Sequence, residues 1–227
     1  MTGVNNKLVT LIGGGGFIGR YVAQALLKAG ARVRIAQRDP RQAFFLKPLG
    51  ALGQTQFVAV DVTRPDTVAR AVEHADGVVN LVGSFEGNLD RIHVEGARAV
   101  AEAATRMGVS ALVHVSAIGA DAGSASNYAR TKGEAEAAVR EAFATATILR
   151  PSTVFGREDQ FINRFAGMIA ALPVVPVLKP DTRFQPVCVG DVAQVRDTVL
   201  HEIAHALAGP GVGHGPAWRA IAASIAV

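Results

Sequence analysis

The apolar segment KLVTLI (Lys7 to Ile12) runs directly into GGGGFIG (Gly13 to Gly19). No other stretch restricts the fold as much. The apolar run reads as a buried strand. Phe17 to Ala29 reads as a helix closed by Gly30, a favoured C-terminal residue. Gly13, Gly16 and Gly19 give a G-x-x-G-x-x-G spacing. Such glycines permit a tight strand-to-helix turn, close backbone approach to a pyrophosphate, and close packing of helix on strand. The helix start, with Phe17, Ile18 and Arg20 beside the glycines, aims its free N–H groups and positive dipole end at phosphate oxygens. Between a first strand and a first helix, in a βαβ context, the match predicts a dinucleotide site.

The rest of the chain supplies that context. Arg32 to Ala36, Gln56 to Val60, Gly77 to Val82, Ala111 to Val115 and Thr145 to Leu149 read as further strands. Helices are predicted at Thr63 to Glu73 (with Thr63 as N-cap), Ile92 to Met107 and Ala129 to Phe143. The strands are continuous apolar runs, the pattern of parallel strands buried on both faces. Strands alternating with helices predict an α/β fold, a doubly wound parallel Rossmann sheet. Hydrophobic residues at 49% and charged residues at 19% exclude a disordered chain. No uncharged apolar run reaches the roughly 18 to 20 residues that span a bilayer, and no leader segment is visible. One cysteine, Cys188, fits a reducing compartment and reads as buried and inert. Net charge is +4, with Lys and Arg scattered rather than clustered, so nucleic-acid binding is not expected. His114 ends a strand and reads as a packed histidine. Phe161, Phe165 and Met168 recur at helical spacing, as a core or interface stripe does. Pro173 to Pro186 reads as loop-rich.

Two further sets carry chemistry. The second strand runs into Gln37-Arg38-Asp39. Arg38 is placed to meet a ribose 2′-phosphate, and Arg20 follows the glycine loop, so NADP(H) is favoured over NAD(H). In the alternative, Asp39 binds ribose hydroxyls and the arginines are solvated. The fifth strand ends at Ser116, followed by Tyr128 and Lys132. Tyr and Lys four apart share a helix face. A nearby ammonium and a bound nicotinamide ribose can lower a phenol pKa towards neutrality, which makes Tyr128 a usable acid–base, while Ser116 can bond a substrate carbonyl.

Residues 1 to 193 resemble the atypical or extended short-chain dehydrogenase/reductase family. Within it they are most similar to the NAD(P)H-binding accessory subunits of respiratory complex I and their bacterial relatives. The motifs are GGGGFIGR (Gly13 to Arg20), NLVG (Asn80 to Gly83), HVEGAR (His93 to Arg98), HVSAIGAD (His114 to Asp121), NYARTKGEAE (Asn127 to Glu136), LRPSTVFG (Leu149 to Gly156) and TRFQPVCVGDVA (Thr182 to Ala193). The resemblance implies that Asp61 and Val62 lie beside the adenine and that Asn80, Val82 and Gly83 edge the cofactor. It further implies that Tyr128 and Lys132 grip the nicotinamide ribose and that Pro151 and Val154 flank the nicotinamide. Phe184 to Val187 becomes a strand near the substrate cleft. It also implies a soluble cytoplasmic protein or one peripheral to the inner membrane, in a membrane-associated assembly such as complex I. Active reductases of the family carry an Asn that positions a proton-relay water, and here that place looks like His93. Residual oxidoreductase activity and a non-catalytic assembly module are both open readings.

Residues 194 to 227 depart from that pattern and read as a short helical tail, a fragment rather than a domain. His201-Glu202-Ile203-Ala204-His205 is an H-E-x-x-H. On a helix, His201 and His205 would share a face and could bind Zn²⁺, with Glu202 activating a water and His214 as a candidate third ligand. Thr198 to Ala222 resembles the active-site stretch of SprT-like zinc metallopeptidases, without the rest of that fold. Three readings are open: a fused fragment without useful metal chemistry, a Zn site grafted onto a reductase, or ordinary helix residues.

Overall fold

The structure is a computed structural model that describes residues 4–172, 174 and 185–193. Six parallel strands form one sheet: β1 (Leu8–Ile12), β2 (Arg32–Gln37), β3 (Thr55–Ala59), β4 (Gly77–Asn80), β5 (Ala111–Val115) and β6 (Thr147–Leu149). Their order is β3-β2-β1-β4-β5-β6. The chain therefore reverses its direction of winding between β1 and β4, where a Rossmann sheet opens its ligand crevice. The predicted doubly wound Rossmann sheet is the observed fold.

Helices cover both faces because each strand is apolar on both sides. On one face, α1 (Phe17–Lys28) buries Val22, Ala23, Leu26 and Leu27 against Val9, Leu11, Val33, Ile35 and Val113. On the other, α2 (Pro65–Val72), α3 (Gly96–Arg106) and α4 (Asn127–Ala142) pack on Ile12, Val78 and Leu112. Alanine-rich α3 lies close to its neighbours, and Ala97, Ala101, Ala103 and Ala104 are fully or nearly fully buried. A Cβ on Gly96 would sit 2.9 Å from Val62 Cγ2, so only glycine lets α3 begin there. Two short strands, β7 (Val154–Phe155) and β8 (Val187–Cys188), pair parallel beside the sheet. They are joined by α5 (Ile162–Ala171) and followed by α6 (Val189–Ala193).

Local chemistry moved several expected boundaries. Thr63 is not a cap: its hydroxyl and N–H both donate to Asp61 Oδ1, and α2 begins with Pro65 in its first turn. The expected helix Ile92 to Met107 is instead a π-helical segment, Asp90–Glu95, continuing into α3. The stretch after β2 forms a 3₁₀ segment, Pro40–Leu49, capped by the Asp39 carboxylate on the Arg41 N–H. The Phe161 and Phe165 stripe is not core among the described residues, since the two rings are 48% and 45% exposed. Cys188 is half-buried rather than buried. The expected strand Phe184 to Val187 is found as Val187–Cys188, with Phe184 outside the described residues. Most of Pro173 to Pro186 and all of 194 to 227 also lie outside them, and with them His201, Glu202, His205 and His214. Among the described residues no helix is long and apolar enough to cross a membrane.

Candidate functional site: a glycine cradle and a buried lysine

The glycine loop closes the C-terminal end of β1. Gly13 adopts φ +83°, a backbone that favours glycine, and its N–H donates to Ala36 O at 2.7 Å. A Cβ on Gly19 would lie 2.5 Å from Gly14 O and 2.7 Å from Gly13 O, so helix and loop touch through bare backbone. Gly16 is the N-cap of α1 and brings no side-chain acceptor, and the first turn carries no acidic residue. The N–H groups at Phe17, Ile18 and Gly19, without a partner among the described residues, therefore remain for an outside anion. This cradle fits a pyrophosphate. A mainly apolar cavity of about 240 Å³ adjoins it, lined by Ile18 and Val22 of α1, the strand ends Leu81 and Val115, and Pro151 and Val187. Ring-sized apolar groups fit such a cavity.

At the ribose end, Arg38 is exposed. Asp39 is committed elsewhere: its carboxylate accepts from Arg41 N–H at 3.1 Å and Gln42 Nε2 at 3.4 Å. Arg20 does not join Arg38. Its guanidinium is 3.5 Å from Glu158 and stacks over Phe45 at 4.7 Å. Asp61, whose pKa is lowered mainly by the Thr63 N–H and hydroxyl, also feels the charge of Arg38. The Val62 side chain is taken up by the core, facing Gly96.

Asn80 ends β4. Its Oδ1 accepts from Val82 N–H at 3.1 Å, and its Nδ2 lies 3.1 Å from His114 Nδ1. That arrangement makes Nδ1 the acceptor and leaves the His114 proton on Nε2. Nε2 has no partner among the described residues. Burial, then the Lys132 charge, pulls the His114 pKa down to about 3, so the ring is neutral. It is the packed histidine expected from the sequence.

The Ser, Tyr and Lys set comes together on β5 and α4, but not as a hydrogen-bonded triad. Lys132 is 2% exposed, and its Nζ donates to Val115 O at 2.9 Å. Burial pushes its pKa down to about 8, against the opposing charge of Glu136. The Tyr128 ring stacks on Phe85 with centroids 4.7 Å apart, and burial raises its pKa. The ammonium by itself does not lower the phenol pKa. Lys132 is turned to the β5 carbonyl, and desolvation alone acts on Tyr128. Ser116 is 5% exposed and its Oγ lacks a well-formed hydrogen bond, although it lies near enough to Glu136 to help lower that pKa.

His93 occupies the π-helical segment and is 2% exposed. Its Nε2 accepts the Ser84 N–H at 3.0 Å, so the proton is on Nδ1, which donates to Thr131 Oγ1 at 2.9 Å. Burial, then the Lys132 charge, lowers its pKa to about 4. The ring edge meets Tyr128 at 5.6 Å. A neutral imidazole with both nitrogens engaged ties the loop after β4 to α4.

Three members of the site escaped the sequence reading. Glu136 is one turn beyond Lys132 on α4, and Arg150 follows β6. They form a bidentate pair at 2.8 and 2.6 Å. The i,i+4 spacing of Lys132 and Glu136 was the available signal. Phe85, 82% exposed on the loop after β4, gave no periodic signal at all.

Residues 13–162 match the model of a family described as NAD(P)H-binding. The chain belongs to the NAD(P)H-binding family. It is 37% identical over 198 residues to mouse NADH dehydrogenase [ubiquinone] 1 alpha subcomplex subunit 9, mitochondrial, covering 84% of this chain and 52% of that protein. It is 33% identical over 192 residues to the ceramide reductase of Caulobacter vibrioides, covering 82% of this chain and 58% of that protein. The chain thus spans little more than half the length of these relatives. Among solved structures it superposes on vestitone reductase from alfalfa with a TM-score of 0.67 at 24% identity, covering 85% and 72% of the two chains. Against the Bordetella bronchiseptica enzyme WbmG in complex with NAD, the TM-score is 0.72 at 17% identity, covering 93% and 71%. These likenesses show the fold. The chain is an NAD(P)H-binding Rossmann domain similar to a subunit of mitochondrial NADH dehydrogenase [ubiquinone] and to reductases. The H-E-x-x-H tail lies beyond the family match, and the described residues hold no metal-ligand cluster.

Proposed function

We propose that this domain holds NADP(H) in preference to NAD(H), chiefly as a retained ligand, with reductase turnover secondary. The observation that carries the preference is the division of labour after β2. Asp39, the acid that would bind ribose hydroxyls, caps the 3₁₀ segment, while Arg38 stands exposed with no ion pair to another described residue. A guanidinium suits a 2′-phosphate through paired N–H donors. Gly13, Gly16 and Gly19 would hold the pyrophosphate with the Phe17 and Ile18 N–H groups. Asp61 and Val62 would lie by the adenine, with Asn80, Val82 and Gly83 along the cofactor edge. Tyr128 and Lys132 would grip the nicotinamide ribose, and Pro151 and Val154 would flank the ring.

The reduced nicotinamide supplies a hydride when bound. The chain's own residues are poorly arranged to supply the accompanying proton. Ser116 Oγ is buried, Lys132 is bonded to Val115 O, and Phe85 covers one face of the Tyr128 ring. His93 is neutral and its nitrogens are both used, so it does not carry protons. These features favour a held nucleotide over rapid turnover. The likeness to a respiratory-chain subunit supports a role at the membrane surface within such an assembly.

Fluorescence titration tests the preference. NADPH should bind at least tenfold tighter than NADH, and Arg38→Ala should erase the difference. Equal affinities in the wild-type protein would refute it. Steady NADPH oxidation with carbonyl or quinone substrates by the isolated protein would refute the retained-ligand reading.

A further inference from the structure

Burying an ammonium without a counter-charge costs several kcal/mol, or the group gives up its proton. Lys132 is 2% exposed, and its one hydrogen bond among the described residues goes to a neutral carbonyl, Val115 O. Among the described residues the opposite charge that acts on it is Glu136, one helical turn further along α4 and itself 2% exposed. Glu136 would be equally costly alone. It is met by Arg150, whose Nε and Nη2 donate to the two carboxylate oxygens, and whose side chain is 49% exposed. The three groups alternate in sign, from a buried cation through a buried anion to a cation at the surface.

We propose that Glu136, held by Arg150, is a positioning residue that fixes the charge of Lys132. This deepens the function proposed above, in which Lys132 grips the ribose, because only the protonated ammonium has all its donors. Among the described residues Glu136 is alone in this role. Facing Lys132 from β5 is His114, and from the π-helical segment His93; both histidines are neutral. Arg140 on α4 and Arg150 after β6 act on Glu136 and hold its carboxyl charged. Asp121, on the loop before α4, acts on Arg150. Burial pushes the Glu136 carboxyl up, but the Arg150 hydrogen bonds, Ser116 and the two arginine charges outweigh it and keep it below the usual carboxylate range. Remove Glu136, and among the described residues Lys132 faces neutral histidines and a carbonyl.

The test is a direct titration of the Lys132 side chain. Protein labelled with ¹³C,¹⁵N-lysine is followed by NMR, with the Lys132 signal identified by its loss in Lys132→Met. The wild-type midpoint should lie near 8. Glu136→Gln should lower it by about one to three units, the range for losing a close opposite charge, and Glu136→Asp should restore most of the shift. Where the single variant leaves Arg150 unpaired and fails to fold, Glu136→Leu with Arg150→Leu removes both charges and gives the same reading. A Lys132 midpoint unmoved by either change overturns the proposal. A second arm measures NADPH affinity at neutral pH, which should fall at least tenfold in Glu136→Gln and recover in Glu136→Asp. Wild-type protein that binds no NADPH would refute the proposed function and leave the lysine titration intact, so the two readings fail separately.

Discussion

Replacing Lys132 with methionine removes a buried charge from the centre of the site. The folded-state pKa of Lys132 is about 8, against an ordinary 10.5. Between those values the unfolded chain holds more protons than the folded one. Wild-type stability therefore carries the full penalty below about pH 8 and sheds it as pH rises towards 10.5. Integrating the two titrations gives a relief of about 2.5 kcal/mol between about pH 7 and about pH 10. Lys132→Met has no such term. It also leaves Val115 O without its donor, a cost that does not depend on pH and drops out of the comparison. Urea unfolding of both proteins at the two pH values is the assay. The stability advantage of Lys132→Met over wild type should shrink by about 2.5 kcal/mol on going to the higher pH. A difference constant within about 0.5 kcal/mol would refute the reasoning, because it would mean that Lys132 titrates alike in folded and unfolded chains.

Gly19→Ala should lower the melting temperature and abolish NADPH binding, since its Cβ would lie 2.5 Å from Gly14 O. The overpacking cost is about 1 to 3 kcal/mol, and an unchanged dissociation constant would show that the cradle tolerates a side chain. Acid should destabilise the fold through two buried histidines among the described residues, His93 and His114. Their folded pKa values, about 4 for His93 and about 3 for His114, lie below the ordinary 6.5. The unfolded state therefore gains protons first, and stability falls as pH drops below about 6.5, by about 1.4 kcal/mol per pH unit for each histidine. His93→Asn should remove one of those two contributions in urea unfolding between about pH 6 and about pH 4.5, and an unchanged slope would count against a neutral buried His93.

Much of the site was legible because it rests on local rules. The glycine spacing after an apolar strand gave the cradle, since only bare backbone allows the observed approach of Gly19 to Gly13 and Gly14. Tyr128 and Lys132 at i and i+4 gave the shared face of α4. Other features were legible in principle. Asp39 followed by Pro40 is a cap signal that would have withdrawn Asp39 from the ribose. Thr63 was misassigned for the same kind of reason: its hydroxyl found Asp61 two residues back rather than the helix ahead.

What the sequence by itself determined is the architecture and the address of the site. Periodicity, glycines and buried strands are properties of neighbours along the chain. The electrostatics were decided by tertiary structure alone. Lys132 finds Val115, Glu136 finds Arg150, and His93 finds Ser84 and Thr131 across gaps of 9 to 38 residues, with only the i,i+4 step within α4 written locally. Burial sets how much each charge costs, and burial exists only once the layers have closed over β5. A reading along the chain placed Ser116, Tyr128 and Lys132 together as an acid–base set. Packing instead buried the serine, stacked the tyrosine on Phe85 and gave the lysine a carbonyl for a partner.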